Sequence, residues 1–323
     1  MIFNSIKNSL KPYSEKKIII SMIMGFVAGL PLLLTITLLQ AWLTDVNISK
    51  STIGLFALIG LPYSLKFLWA PFFDRYVLCP LGRRRGWLLL SQVLLIISIF
   101  SLGQTNPEIN LYNVAILSLS VTFFSASQDI IIDAYRRESL LEKEQTIGAS
   151  AYVLGYRFGA LAAGAGGLIL ADVYSYSVVY TLMALIMLLG VLTTFIANEP
   201  KITAKPNTLK ESIIEPFKEF FSRHQVDKDD FQKYVPYLIL LFVLLYKVGD
   251  TMAHSLSTNF YLEIGFSKTE IGTVVKFFGL GATLIGALIG GVLSLKIGLY
   301  KSLMYFGAFQ LIATLGFAIL FYS

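Results

Sequence analysis

Long apolar runs broken by short charged or Pro/Asn-rich segments set the pattern of this chain. They fall near residues 18–42, 51–73, 87–104, 112–134, 148–171 and 176–197. A polar stretch from 198 to 234 follows, and three more apolar runs lie near 235–261, 269–295 and 302–322. A run of about 20 such residues matches the ~30 Å hydrocarbon core of a bilayer. The pattern therefore predicts an all-α polytopic membrane protein with nine spans, six before the polar stretch and three after it.

Composition agrees. Of the 323 residues, 55% are hydrophobic and 14% charged, with a mean hydropathy of +0.69, against about a quarter charged in a soluble domain. The first sixteen residues are polar and basic, and the apolar run behind them is longer than the core of a signal peptide. A retained first span is expected.

The net charge of +6 changes meaning once it is mapped. With the N-terminus in the cytoplasm, twenty of the 26 lysines and arginines fall in inside segments. Only Lys50 and Lys268 fall outside, while Lys66, Arg157, Lys247 and Lys276 fall within spans. That asymmetry is the positive-inside rule. The positive charge reports topology, and no nucleic-acid partner is expected.

Six spans, a long cytoplasmic loop and further spans form the layout of the major facilitator transporters, whose two six-helix halves are related about the membrane normal. The expected domains are a six-helix bundle over 1–197, a cytoplasmic linker over 198–234 and a partial bundle over 235–323. The linker holds "LKESIIEPFKEFFSRH", where Ile213, Ile214, Phe217, Phe220 and Phe221 share a helical face. This fits an amphipathic helix at the membrane interface, with a plain solvated helix as the competitor. Two six-helix halves require twelve spans, so three are expected to be missing from the second half.

Between the second and third runs stands "APFFDRYVLCPLGRRRGW". Asp74 and Arg75, followed by Arg83, Arg84 and Arg85, resemble the loop signature of the major facilitators. An acid at a helix end can pair with arginines there and latch a cytoplasmic gate that opens and closes in the cycle. Arginines serving topology alone would not need Asp74.

Ionisable side chains inside the spans are the strongest pointers to function, since each costs about 3 kcal/mol or more and so faces a cavity or a partner. "SLSVTFFSASQDIIIDAYRRE" carries Asp129 and Asp133 four apart on one face of the fourth run. Asp133 lies near the helix end, within reach of Arg136 and Arg137. Asp129 is a turn deeper, beside Gln128, Ser127 and Ser125, and is the expected proton carrier unless Arg157 pairs with it.

Arg157 itself either neutralises an aspartate of the fourth run or grips an anionic substrate. Gly155, Gly159, Ala163 and Gly167 recur every fourth position around it, which suits close packing of another helix. In the second half, Lys247, Asp250 and His254 share a stripe; Lys247 and Asp250 suit a self-neutralising pair, and His254 a proton relay or a packing role. Lys66 and Lys276 are the second-span lysines of the two halves, placed to snorkel or to line a cavity.

Other chemistries find no support. No P-loop occurs, and His224, His254 and the single Cys79 offer no metal cluster, disulfide or nucleophile triad. No cofactor is implied. Enzymatic use of Asp129 and Asp133 as paired carboxylates is a remote competitor.

Six ordered motifs carry a more specific likeness: "GFVAGLPLLLTITLLQAWL", "IGLPYSLKFLWAPFFDRYVLCPLGRRRGWLL", "SASQDIIIDAYRRE", "VLGYRFG", "LLYKVGDTMAHSLSTNFYLEIGF" and "GTVVKFFGLGATLIGALIGG". Together they resemble the AmpG-type muropeptide permeases, from about residue 25 to the end of the chain. The acetyl-CoA transporters share the layout and fit these motifs less well.

The resemblance implies a bacterial inner-membrane importer of GlcNAc-anhydroMurNAc peptides, driven by protons and serving peptidoglycan recycling, with β-lactamase induction in some species. Its partners are then a muropeptide, protons and the bilayer. Arg157, Lys247, Asp250, Gln40 and Gln128 are the expected substrate contacts, and Asp129, Asp133 and His254 the proton-coupling groups. The alternatives are a degraded paralogue without transport of its own, a split transporter completed by a second chain, or a carrier of another amphiphilic anion such as acetyl-CoA.

Overall fold

The computed structural model describes residues 11–200 and 278–322 and, between them, 208, 214–215, 218–221, 234–242, 245, 261 and 264–265. The chain divides into two compact units, residues 1–209 and 210–323. Among the described residues the only β-type contact is an isolated bridge between Cys79 and Gly82.

Six helices of the first unit are long and apolar enough to cross a membrane: α1 (Lys16–Asp45), α2 (Ser51–Leu68), α3 (Arg83–Gly103), α4 (Leu111–Ser139), α5 (Glu142–Ala171) and α6 (Tyr176–Ile196). Their starts follow local chemistry. Ser49 accepts the Thr52 N–H at 3.3 Å ahead of α2, and Asn110 accepts the Asn113 N–H at 3.0 Å ahead of α4.

Several helices are irregular; α5 widens to a π-helix at Ala162–Gly166, and the departures in α1 and α2 lie near the site. In α1, Pro31 removes one backbone donor and the next turn, Leu34–Leu38, widens to a π-helix. The buried Tyr180 hydroxyl of α6 donates to the Leu34 carbonyl at 2.9 Å, so that turn is tied down from outside. The helix α2 alternates between α and tighter 3-10 winding, with 3-10 turns at Phe56–Gly60 and Lys66–Leu68. The run expected as one span over 51–73 is thus two pieces, because Pro71 starts a separate short helix, Ala70–Arg75.

The core forms around α1, whose Val27, Leu30, Leu34, Leu38, Leu39 and Leu43 are fully enclosed. Its neighbour α5 lies backbone to backbone against it. A Cβ at Gly25 or Gly29 would run into the carbonyl oxygens of Tyr152 and Tyr156, and one at Gly155 or Gly159 into those of Met22 and Phe26. The small-residue stripe of α5 is therefore a packing surface for α1, which carries the same four-residue spacing.

In the second unit, α7 (Gly279–Ile297) ends at Gly298, which takes φ +81°, and α8 (Leu299–Tyr322) follows directly. Phe220 and Phe221 meet edge to face at 5.4 Å, and Phe221 lies 5.3 Å from Tyr237. Most of the expected amphipathic linker helix lies outside the described residues.

Candidate functional site

Two polar clusters stand out in the first unit, one within the spans and one at the end where the α2–α3 and α4–α5 loops lie. The first is built on α4. Asp129 is mostly enclosed, its side chain 14% exposed, and its Oδ2 lies 4.0 Å from Lys66 Nζ of α2, whose side chain is 36% exposed. The other oxygen, Oδ1, is buried with no hydrogen-bond partner among the described residues. One cation thus meets one edge of the carboxylate.

The cation is Lys66 and not Arg157. Arg157 is exposed on α5 and makes no ion pair among the described residues. The helix α2 stands beside α4 and brings its lysine across. Tyr63 and Trp69 flank that lysine at three-residue spacing. Tyr63 donates from its hydroxyl to Ser125 Oγ at 2.9 Å, and Trp69 donates from Nε1 to Ser127 Oγ at 3.1 Å. From α5, Tyr152 and Tyr156, their rings 6.4 Å apart, lie within electrostatic range of Asp129.

The other expected residues are placed as follows. Asp133 is exposed and pairs with Arg136 of its own helix, Nη2 to Oδ1 at 3.4 Å, while that guanidinium lies 5.6 Å from the Tyr152 ring centre. Gln40 opens onto a cavity of about 130 Å³ shared with Thr35, Tyr63 and Thr122. Gln128 is fully enclosed, and neither its Nε2 nor its Oε1 has a hydrogen-bond partner among the described residues. Lys247, Asp250 and His254 lie outside the described residues.

The second cluster gathers most of the loop residues. Arg84, its side chain only 5% exposed, holds Asp74 Oδ1 through Nη1 at 2.7 Å. It also meets Glu138 at the end of α4 through Nε at 2.9 Å and through Nη2. Arg83 donates to Glu138 Oε1 at 2.9 Å and to the Asp74 carbonyl at 3.1 Å. Arg85 turns the other way and donates to the Thr194 and Phe195 carbonyls at 2.9 and 3.0 Å, covering the open end of α6. Arg75 has no acidic partner among the described residues and lies 5.6 Å from the Tyr76 ring centre.

Glu199, just past α6, completes this cluster. Its two oxygens accept the Arg84 and Arg85 N–H groups at 2.8 and 3.0 Å. Gly82, which precedes α3, has no side chain to cap the helix and adopts φ +108°, so an acid from elsewhere in the chain does so. Glu138, Glu199, Tyr63 and Trp69 were not singled out in the sequence. Glu138 ends the "DAYRRE" run and Glu199 is the first acid after the sixth apolar run, which are the only local signals.

The model of the Major Facilitator Superfamily matches residues 21–323. The chain is 41% identical over 314 residues to a protein of Escherichia coli K12 named anhydromuropeptide permease, covering 96% of this chain and 62% of that protein. It is 40% identical over 305 residues to an uncharacterized protein of Haemophilus influenzae, covering 94% of this chain and 70% of the relative. It is 32% identical over 311 residues to a Rickettsia felis protein named putative transporter AmpG 4, covering 93% of this chain and 73% of the relative. The chain thus spans about 62% of the length of the Escherichia coli permease.

Proposed function

Because the chain belongs to the major facilitator superfamily, and within it to the AmpG-type permeases, we propose that it carries anhydromuropeptides across the bacterial inner membrane towards the cytoplasm, coupled to protons. Its named relatives are transporters, not enzymes. The carrying observation is the 41% identity to the Escherichia coli permease, sustained over 314 residues. The ion pair of Lys66 and Asp129 within the spans supports the coupling to protons, since such pairs mark ion and substrate pathways.

In this reading Asp129 is the proton carrier, with Asp133 and His254 as further coupling groups. Arg157, Lys247, Asp250, Gln40 and Gln128 contact sugar hydroxyls, peptide amides and carboxylates of the substrate. Asp74, Arg75, Arg83, Arg84 and Arg85 latch the cytoplasmic gate, with Glu138 as the acid that the latch closes on. The chain then carries six spans in its first half and three in a partial second half, and the N-terminus faces the cytoplasm.

Uptake of labelled anhydromuropeptide into cells lacking their own permease tests the function. Uptake that collapses with a protonophore is expected on expression of this chain. Absence of uptake at a confirmed membrane level of protein would reject it.

A further inference from the structure

Lys66 has a position that ion pairing alone does not explain. Its ammonium meets Asp129 at 4.0 Å, the outer limit of a pair, and touches only Oδ2. The lysine is also the more open partner, 36% against 14% exposed. A lysine that served only to neutralise a buried carboxylate would be expected closer, and between both oxygens.

The base of the side chain, by contrast, is held firmly. Tyr63 and Trp69, three residues to either side, are fastened to Ser125 and Ser127 of α4. Residues three apart line up in a 3-10 helix, whereas in an α-helix each step of three turns the direction by about 60°. The 3-10 turn Lys66–Leu68 therefore keeps Lys66 and Trp69 in one row on the α4 side. The stem is fixed and the head is loosely paired.

We infer that Lys66 is a carboxylate-binding group for the transported substrate, held in reserve by Asp129 and released when Asp129 takes up a proton. This rests on the function proposed above. The charges balance over the cycle. A proton from the water phase binds Asp129 and makes it neutral, which leaves the Lys66 ammonium without its partner. A substrate carboxylate then takes that place, so lysine and substrate again sum to zero. On the far side the carboxylate leaves, the proton leaves Asp129, and the pair re-forms. The lysine lacks a counter-charge only between the departure of one carboxylate and the arrival of the other, a costly condition that ties protonation of Asp129 to substrate binding. Besides Lys66, the groups facing Asp129 among the described residues are Tyr63 from α2, Asp133 from α4, and Tyr152 and Tyr156 from α5. The lysine is the only cation in that set.

The test uses the full chain in lipid nanodiscs, with binding of labelled anhydromuropeptide followed across pH. For the unaltered chain, binding is expected to tighten as pH falls. Asp129→Asn should bind at every pH as the unaltered chain binds at low pH. Lys66→Gln should weaken low-pH binding by about tenfold or more, as expected for loss of a charge-assisted hydrogen bond. Lys66→Arg should restore it. Amidating the peptide carboxylates should abolish the difference between the unaltered chain and the Lys66→Gln variant.

Lys66→Gln binding like the unaltered chain, with its pH dependence intact, would overturn the proposal. A second measurement needs no substrate. Reaction of the Lys66 ammonium with an amine-selective reagent should quicken in Asp129→Asn, because a neutral side chain no longer holds the head; unchanged reactivity would also overturn it. Absence of muropeptide binding by the unaltered chain would reject the substrate reading instead, and the reactivity of Lys66 then decides the pair alone.

Discussion

Arg84 and Glu138 meet side-on: Nε donates to Oε2 at 2.9 Å while Nη2 donates to Oε1. Such a two-pronged pair fixes orientation as well as distance. It joins the start of α3 to the end of α4, and Asp74 adds the loop that follows α2.

Replacing Arg84 by lysine keeps the charge but cannot reproduce both prongs and the bond to Asp74 together. We expect Arg84→Lys to cost about 2 kcal/mol and Glu138→Ala about 3 kcal/mol, since each leaves an enclosed charge poorly paired. Thermal midpoints of the detergent-purified variants would measure this. Equal stability for Arg84→Lys and the unaltered chain would contradict it.

At the other end of this cluster, Glu199→Ala removes the acceptor for two N–H groups at the start of α3. A loss of about 1–2 kcal/mol is expected, as for other helix caps. Gly82→Ala should cost at least as much, because it combines an unfavourable backbone with a collision against Glu199. Retained heat stability in both variants would show that α3 does not need this acid.

The glycines separate into two kinds. Gly155→Ala and Gly29→Ala drive a methyl into backbone carbonyls that have nowhere to move, so about 3 kcal/mol or failure to fold is expected. Gly286→Ala on α7 meets open space in its own unit and should be neutral or gain up to ~1 kcal/mol from helix propensity. Monodisperse yield on size exclusion would rank them, and a Gly155 variant as well behaved as Gly286→Ala would refute the backbone contact.

Tyr63→Phe and Ser125→Ala each remove one partner of the same hydrogen bond. Each should cost about 1 kcal/mol, and the double variant little more than either alone. Fully additive losses in a double-mutant cycle would mean that the hydroxyl pair contributes nothing jointly.

The positions of the first six spans were legible because twenty-residue apolar runs admit few alternatives. The arginine loop was legible for similar reasons of composition. Pairings between helices were not. Asp129 was visible as an anomaly, yet its partner depends on α2 standing beside α4, and by sequence only Arg157 suggested itself as the pairing cation. Glu138 lies 54 residues from Arg84, so nothing local links them. The glycine stripe of α5 announced close packing, while its partner was hidden in Gly25 and Gly29 of the first run, spaced alike but embedded among bulky side chains. The mixed winding of α2 leaves no mark on hydropathy, since apolar residues fill it whichever way it turns.

That winding also sets a length. An α-helix rises about 1.5 Å per residue and a 3-10 helix about 2.0 Å. As a plain α-helix, the 18 residues of Ser51–Leu68 would reach about 27 Å, short of a ~30 Å hydrocarbon core. The eight residues in 3-10 turns, Phe56–Gly60 and Lys66–Leu68, stretch it to about 31 Å. The overwound α2 is thus matched to the bilayer, and rewinding it would draw its two ends together by about 4 Å.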